Sequence, residues 1–274
     1  RRRQRQMCIR DRASQFAMVE RATDAIPAFS EIISADPQSE YVALHALWGL
    51  GQLYRQGMTE AADAIVSSMS SEEPEIRANA ARVVGDSVIT EGQSALLKLL
   101  QDSSSRVVSL SAIALGRVAP KGDQVAVNAL FAAAKLNQGK SFEPTIRHSL
   151  LSALDRVALD DQLSSFANSE DVEQRLLCVL LLRRRASPEL AQFLEDQDDA
   201  VREEAILAIY DTDAMDGPAG QKLLSVDPKG LPFYHQARLV GACFRMGTID
   251  SAVQLGQYVS DTGLDLSLIH ISEP

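Results

Sequence analysis

Apolar positions along this chain fall three and four residues apart in blocks, and the blocks themselves recur about every 30 residues. One block reads Pro74-Glu75-Ile76-Arg77, followed by Ala80, Ala81, Val84 and Gly85. The next reads Ser105-Arg106-Val107-Val108, followed by Ser111, Ala112, Leu115 and Gly116. A later one reads Ala200-Val201-Arg202, followed by Ala205, Ile206, Ile209 and Tyr210. Weaker copies start near Val42, Ile146, Val172 and Ala237, so the anchors at 42, 76, 107, 146, 172, 201 and 237 lie 26 to 39 residues apart. Each block has one apolar helical face, such as Val107, Leu110, Ile113, Ala114 and Val118. Shorter amphipathic stretches fill the gaps at Ser94–Leu100, Val125–Leu136, Pro188–Glu195 and Ile249–Val259. A unit is therefore a helical hairpin, and one hairpin cannot bury its apolar face alone, so neighbours must stack. The pattern predicts an all-α chain, a right-handed α-solenoid of about seven helical hairpins.

Polar punctuation supports this division. Acidic or serine-rich turns precede most long helices: Ser70-Ser71-Glu72-Glu73, Asp102-Ser103-Ser104 and Asp196-Gln197-Asp198-Asp199. Such residues suit N-caps and the positive end of the helix dipole. Ala80, Ala81, Ala112 and Ala114 allow close helix approach, and Gly51, Gly85, Gly116 and Gly247 are expected at helix ends as left-handed C-caps. Asp211–Pro218 and Asp227–Pro232 predict two longer loops.

Composition narrows the function. Apolar residues make up 46% of the chain and aromatics 5%, and the net charge is −10. That acidity argues against nucleic-acid binding, which needs a basic surface. No apolar run reaches the roughly 18 residues of a membrane span. The two ends stand apart. Arg2 to Asp11 resembles the translation of a transposase sequencing adapter, and Leu266 to Pro274 resembles the opposite adapter. The expected organisation is then a non-native tail over 1–12, a helical-repeat fragment over 13–265, and a second tail over 266–274. Setting the tails aside leaves 21 basic against 35 acidic residues and the thiols Cys178 and Cys243.

Catalytic patterns are missing from the sequence. It has no Gly-rich phosphate loop, nucleophile elbow, His-Glu-x-x-His or Cys-x-x-Cys. His45, His148 and His235 are too far apart in sequence to pair as ligands on one helical turn. Cys178 and Cys243 sit in apolar runs and read as buried small hydrophobes. Arg183-Arg184-Arg185 closes an apolar helix, where cations complement the dipole, with anion binding as the second reading. The acidic pairs Glu72/Glu73, Asp160/Asp161 and Asp198/Asp199 lie in turns with nothing to desolvate them, which suits turns and caps better than acid–base chemistry. No residue is assigned as catalytic, cofactor-binding or metal-ligating.

The repeat pattern resembles HEAT repeats. Three stretches are more specifically similar to the helical region of PVC-type haem-binding membrane-bound dehydrogenases: His45-Ala46-Leu47-Trp48-Gly49-Leu50-Gly51-Gln52-Leu53, the segment Arg183 to Asp211, and Arg238 through Thr248. The resemblance covers about Glu20–Asp265 and implies the middle of a longer bacterial protein, between a β-propeller and a cytochrome c module. It implies haem c in the parent and none in this segment, and a periplasmic or cell-envelope location. The expected role is a non-catalytic scaffold that positions neighbouring protein domains, with a docking surface at His45, Trp48 and Tyr54. The alternative is a free-standing adaptor that binds a basic protein. A third reading, an enzyme acting on a protein-bound cofactor, has no catalytic group to support it.

Overall fold

A computed structural model describes residues 12–34, 40–137 and 143–262, and the two expected tails, apart from Arg12, lie outside them. Among the described residues every regular element is helical. The chain divides into two compact units, Arg1–Gln162 and Leu163–Pro274.

In unit 1, residues 12–19 form α1. There follow α2 (Ala25–Ser34), α3 (Glu40–Arg55), α4 (Ala61–Ser68), α5 (Pro74–Ser87), α6 (Gln93–Leu99), α7 (Ser105–Val118), α8 (Gln124–Leu136) and α9 (Glu143–Val157). The long helices form one layer, with α3 on α5, α5 on α7 and α7 on α9. The shorter ones form a second layer, each packed on the long helix that follows it: α4 on α5, α6 on α7 and α8 on α9. Unit 2 contains α10 (Ser164–Ala167), α11 (Val172–Arg184), a 3-10 helix at Pro188–Glu195, α12 (Asp199–Tyr210), α13 (Pro218–Leu223), α14 (Phe233–Met246) and α15 (Ile249–Thr262). Its long helices pack α11 on α12 and α12 on α14. Each of the seven sequence anchors falls in a different long helix, so the chain is an all-α solenoid of stacked hairpins.

Burial follows the blocks. In α7, Val107, Val108, Ser111, Ala112, Ala114, Leu115, Gly116 and Val118 are buried, while Arg106 and Arg117 are exposed. Gly51, Gly85 and Gly116 lie inside helices, not at the expected C-caps. Their reason is close packing. A Cβ on Gly85 would stand 2.7 Å from Ala114 Cα, and one on Gly116 would stand 2.6 Å from Ala153 Cα. Only Gly247 behaves as expected, closing α14 with φ +58°. The end of α5 is instead closed by Val88 at φ +51°, a left-handed conformation costly for a β-branched residue.

The acidic turns also divide differently. Asp198 caps α12, accepting from the amides of Ala200 and Val201. Asp102 and Asp196 do something else: each clasps an arginine of the preceding long helix. Arg77 Nε and Nη2 donate to the Asp102 carboxylate at 2.7 and 3.0 Å, and Nη1 donates to the carbonyls of Ser71 and Glu72. Arg175 repeats the arrangement in unit 2, with 2.8 and 2.9 Å bonds to Asp196 and Nη1 on the carbonyls of Ser169 and Glu170. One guanidinium thereby ties its own N-terminal turn to the turn ahead of the next long helix. Two expectations are corrected: Pro188–Glu195 is a 3-10 helix, and the region 211–218, expected as loop, contains a 3-10 turn at Asp213–Asp216, with Pro218 opening α13. The short α4, α10 and α13 occupy gaps between anchors in which the sequence pattern marked no helix range.

Candidate functional site

The exposed edge of the long-helix layer in unit 1 carries a chain of side-chain contacts that begins on α1. Gln15 Nε2 donates to Gln52 Oε1 at 3.0 Å, and Gln15 Oε1 accepts from His45 Nδ1 at 2.8 Å. The His45 and Trp48 rings meet edge-to-face with centroids 5.0 Å apart. Trp48 Nε1 points to Asn79 Oδ1 at 3.4 Å, and Asn79 Nδ2 donates to the Glu75 carbonyl at 2.8 Å. Trp48 is half-buried, packed against the buried group Ala43, Leu44 and Ile76.

The edge continues on α5 and α7. Glu75, Asn79, Arg82 and Asp86 recur at helical spacing on α5, and Arg106 and Arg117 face them from α7. Arg106 Nε lies 3.0 Å from Glu75, and Arg117 pairs with Asp86. Arg55 at the end of α3 donates to Ser87 Oγ at 2.9 Å. Exposed ion pairs add little stability. Their effect is to hold side chains of successive repeats in one order on a continuous polar surface.

Of the three expected docking residues, His45 and Trp48 are in direct contact. Tyr54 is half-buried too, but it follows His45 by nine residues, which at 100° per residue places it on the opposite side of α3. The structure therefore groups two of the three on one face.

Unit 2 holds a cluster that the sequence reading did not single out. Arg238 lies over the Tyr234 ring at 4.3 Å and the Tyr210 ring at 5.0 Å, and Arg245 lies over Tyr210 at 5.3 Å. Asp211 joins the cluster, 3.3 Å from Arg238 and 3.1 Å from Arg183. Arg183 also pairs with Glu204 at 2.6 Å. The first arginine of the 183–185 run is thus committed to carboxylates of its own unit, not held ready for an anion. The available signal was the spacing of Arg238 and Arg245, two helical turns apart, behind a C-terminal Tyr210-Asp211 pair.

The remaining candidates offer little reactivity. Burial pushes the Cys178 thiol up to about 12 and the Cys243 thiol up to about 11. Neither is a thiolate nucleophile at neutral pH. His148 is exposed, and His235 is buried with Nε2 4.0 Å from Glu203. A groove of about 420 Å³ between α2 and α4 is lined mainly by serines. The Ser30, Ser34, Ser67 and Ser68 hydroxyls donate to carbonyls of their own helices. Among the described residues, no three His, Cys, Asp or Glu side chains converge to hold a metal ion, and no helix is long and apolar enough to cross a membrane.

A family model described as HEAT repeats matches residues 70–155, from the turn ahead of α5 to near the end of α9. No curated protein matches the chain. Among solved structures, the chain is similar to an archaeal HEAT-like repeats protein from Thermococcus onnurineus, at 13% identity over 90% of this chain and 98% of that one, with a TM-score of 0.48. It is also similar to a chain in the complex of CpcE and CpcF of phycocyanin lyase from Nostoc, at 18% identity, 86% and 93% coverage and a TM-score of 0.43. Human deoxyhypusine hydroxylase gives 14% identity, 94% and 95% coverage and a TM-score of 0.38.

Proposed function

We propose that this chain is a non-catalytic helical-repeat scaffold that docks protein domains through the face of α3, α5 and α7 carrying His45 and Trp48. The observation that carries the reading is the bonded series Gln52–Gln15–His45–Trp48–Asn79. It spans three helices and holds an aromatic pair half-exposed in a fixed orientation. Rigid aromatic groups with a polar handle lose little freedom on binding and are favoured as interface anchors. Tyr54 belongs to a separate face of α3 and contributes to a second contact.

The partners are neighbouring domains of one longer protein. The likeness of His45–Leu53, Arg183–Asp211 and Arg238–Thr248 to the helical region of PVC-type haem-binding dehydrogenases supports that reading. There the stack would keep a substrate-oxidising propeller and an electron-accepting haem c module at a set separation, in the cell envelope. The acidic balance supports a protein partner over nucleic acid.

The test begins with the source DNA, read across both ends of this coding segment. A propeller upstream and a haem-attachment motif downstream support the dehydrogenase scaffold. Further repeats and a stop instead favour the free-standing adaptor. Each flanking domain is then titrated onto the chain while the fluorescence of its single tryptophan, Trp48, is followed. Saturable change that is weakened tenfold or more by His45→Ala supports the docking face. Binding with no Trp48 response and no His45 dependence rejects it.

A further inference from the structure

The two arginine clasps share three features, and unit 2 contains the parts of a third clasp that does not close. In each closed clasp the guanidinium donates to the carbonyl six residues before it, from Arg77 to Ser71 and from Arg175 to Ser169. A later aspartate, Asp102 or Asp196, accepts two further bonds from it. That aspartate also accepts from the amide two residues on, Ser104 or Asp198. Arg202 and Asp227 repeat the first and last of these features. Arg202 donates to the Asp196 carbonyl, six residues before it, and Asp227 accepts from the Lys229 amide at 2.9 Å. Asp227 follows Arg202 by 25 residues, the separation of Asp102 from Arg77.

Among the described residues, however, no hydrogen bond or ion pair joins Arg202 to Asp227. Both line a cavity of about 310 Å³ instead. The Arg202 side chain is accordingly 31% exposed, against 15% for Arg77 and 5% for Arg175. Its Nη2 pairs with Asp199, an exposed carboxylate held only weakly. Two more cations, Lys222 and Lys229, line the same cavity. Glu195 lies 3.2 Å from Lys222, while the Lys229 ammonium has no partner among the described residues. Buried Leu194 and Ile206, with half-buried Val226, supply an apolar wall.

We infer that this cavity binds a carboxylate carried on a short apolar body, which takes on Arg202 the place an aspartate takes on Arg77 and Arg175. Nε and Nη2 of Arg202 form the same planar fork that holds a carboxylate bidentately in the two closed clasps. Displacing Asp199 costs little, because that carboxylate is already in water. Lys229 adds positive charge beside the fork, and the apolar body rests on Leu194 and Ile206. Glu195 and Asp227 border the same space, so the ligand carries one negative charge and not two. The volume is at the lower end for small-ligand pockets, about 300–1,000 Å³, which suits one carboxylate with one branched side chain. A free branched acid and the C-terminal residue of a protein partner share this chemistry. The site lies in unit 2 and depends on neither the His45–Trp48 face nor its partner.

The experiment titrates the 15N-labelled full chain with N-acetyl-leucine at constant ionic strength and follows the amide resonances of residues 194–231 by NMR. These resonances should move saturably, with a Kd on the order of 1 mM for so small a ligand. N-acetyl-leucinamide, which lacks the charge, and acetate, which lacks the apolar body, should each bind at least tenfold more weakly. Lys229→Glu changes an exposed residue and should weaken N-acetyl-leucine at least fivefold with no change in melting temperature. Arg202→Gln should abolish binding. A hexapeptide ending in leucine with a free carboxylate identifies the source. Tighter binding than N-acetyl-leucine assigns a protein C-terminus, and equal or weaker binding assigns a free acid. Asp227→Asn removes a neighbouring charge while keeping an acceptor for the Lys229 amide, so it should tighten binding and leave the melting temperature unchanged. A fall in melting temperature for Asp227→Asn, with binding seen only in that variant, shows that the clasp closes on Asp227 and overturns the inference. So does an absence of movement up to about 20 mM, well above such a Kd. Equal binding of the amide, or indifference to Lys229→Glu, overturns it as well.

Discussion

The Arg77–Asp102 clasp gives the sharpest test of how the repeats are held in order. Both side chains are largely buried, at 15% and 8% exposure, and the carboxylate also accepts from the Ser104 amide at 2.8 Å. Burial by itself would raise the Asp102 carboxyl. The Arg77 hydrogen bonds, the Ser104 amide and the Arg77 charge more than offset that, and the group sits below its ordinary value. On the other partner, the bond to Asp102 raises the guanidinium against the opposing effect of burial. Removing one member of a buried, hydrogen-bonded pair costs about 3–5 kcal/mol, because the other charge is left without its partner. Asp102→Asn keeps an acceptor for Ser104, so its cost lies near the lower end, about 3 kcal/mol. In a unit of this size that lowers the melting temperature by about 6–12 °C. Urea unfolding at pH 7, followed by Trp48 fluorescence and circular dichroism, measures it. The pH dependence follows from the sign of the shift. A carboxylate held below its unfolded value, about 3.9, stabilises fully above that pH and loses the contribution as pH falls through the lower folded value. Asp102→Asn must therefore flatten the acid limb of stability as well as lower the plateau. The double change Arg77→Met with Asp102→Leu, which removes both charges, should recover most of the loss. A cost under about 0.5 kcal/mol for Asp102→Asn, with an unchanged acid limb, would refute the reasoning, since that is the value of an exposed pair.

Three further outcomes follow from the packing. Gly116→Ala should destabilise by about 1 kcal/mol net, because overpacking against Ala153 costs about 1–3 kcal/mol and exceeds the roughly 1 kcal/mol gain in helix propensity; a rise in the melting temperature would show that α7 and α9 separate freely. Val88→Gly should stabilise by up to about 1 kcal/mol, as relief of left-handed strain of about 1–2 kcal/mol outweighs the added chain entropy. A lower denaturation midpoint for that variant would count against the strain. In a Cys8→Ser background, native Cys178 and Cys243 should resist a thiol-labelling reagent at pH 8 and react only on unfolding, since burial raises both thiols; rapid native labelling of either contradicts this burial.

Much of the fold was legible because helical periodicity is a local signal. All seven anchors, from Val42 to Ala237, fall in long helices, and Gln124–Leu136 lies within one residue of its predicted start. What the sequence hid depends on partners far along the chain. Gly85 and Gly116 read as helix ends because a glycine announces its own freedom but not the Ala114 or Ala153 backbone pressed against it. Asp102 read as a cap because its true partner, Arg77, lies 25 residues earlier. The short α10, with four residues, contains too little sequence for a period to show. At the candidate site the sequence pointed to His45 and Trp48, yet Gln15 and Asn79, which orient them, carry no motif and were found only through their bonds.

The glycine contacts also constrain how this sequence can drift. Where Gly85 meets Ala114 and Gly116 meets Ala153, one backbone serves as the wall for the next, 29 and 37 residues onward. A larger residue on either side has no empty space to enter and no flexible side chain to push aside. Substitutions at these pairs must therefore be strongly non-additive, each tolerated only when its counterpart shrinks or the helices move apart. Helices α5, α7 and α9 cannot evolve as interchangeable modules, even though their sequences repeat. They inherit one another's spacing.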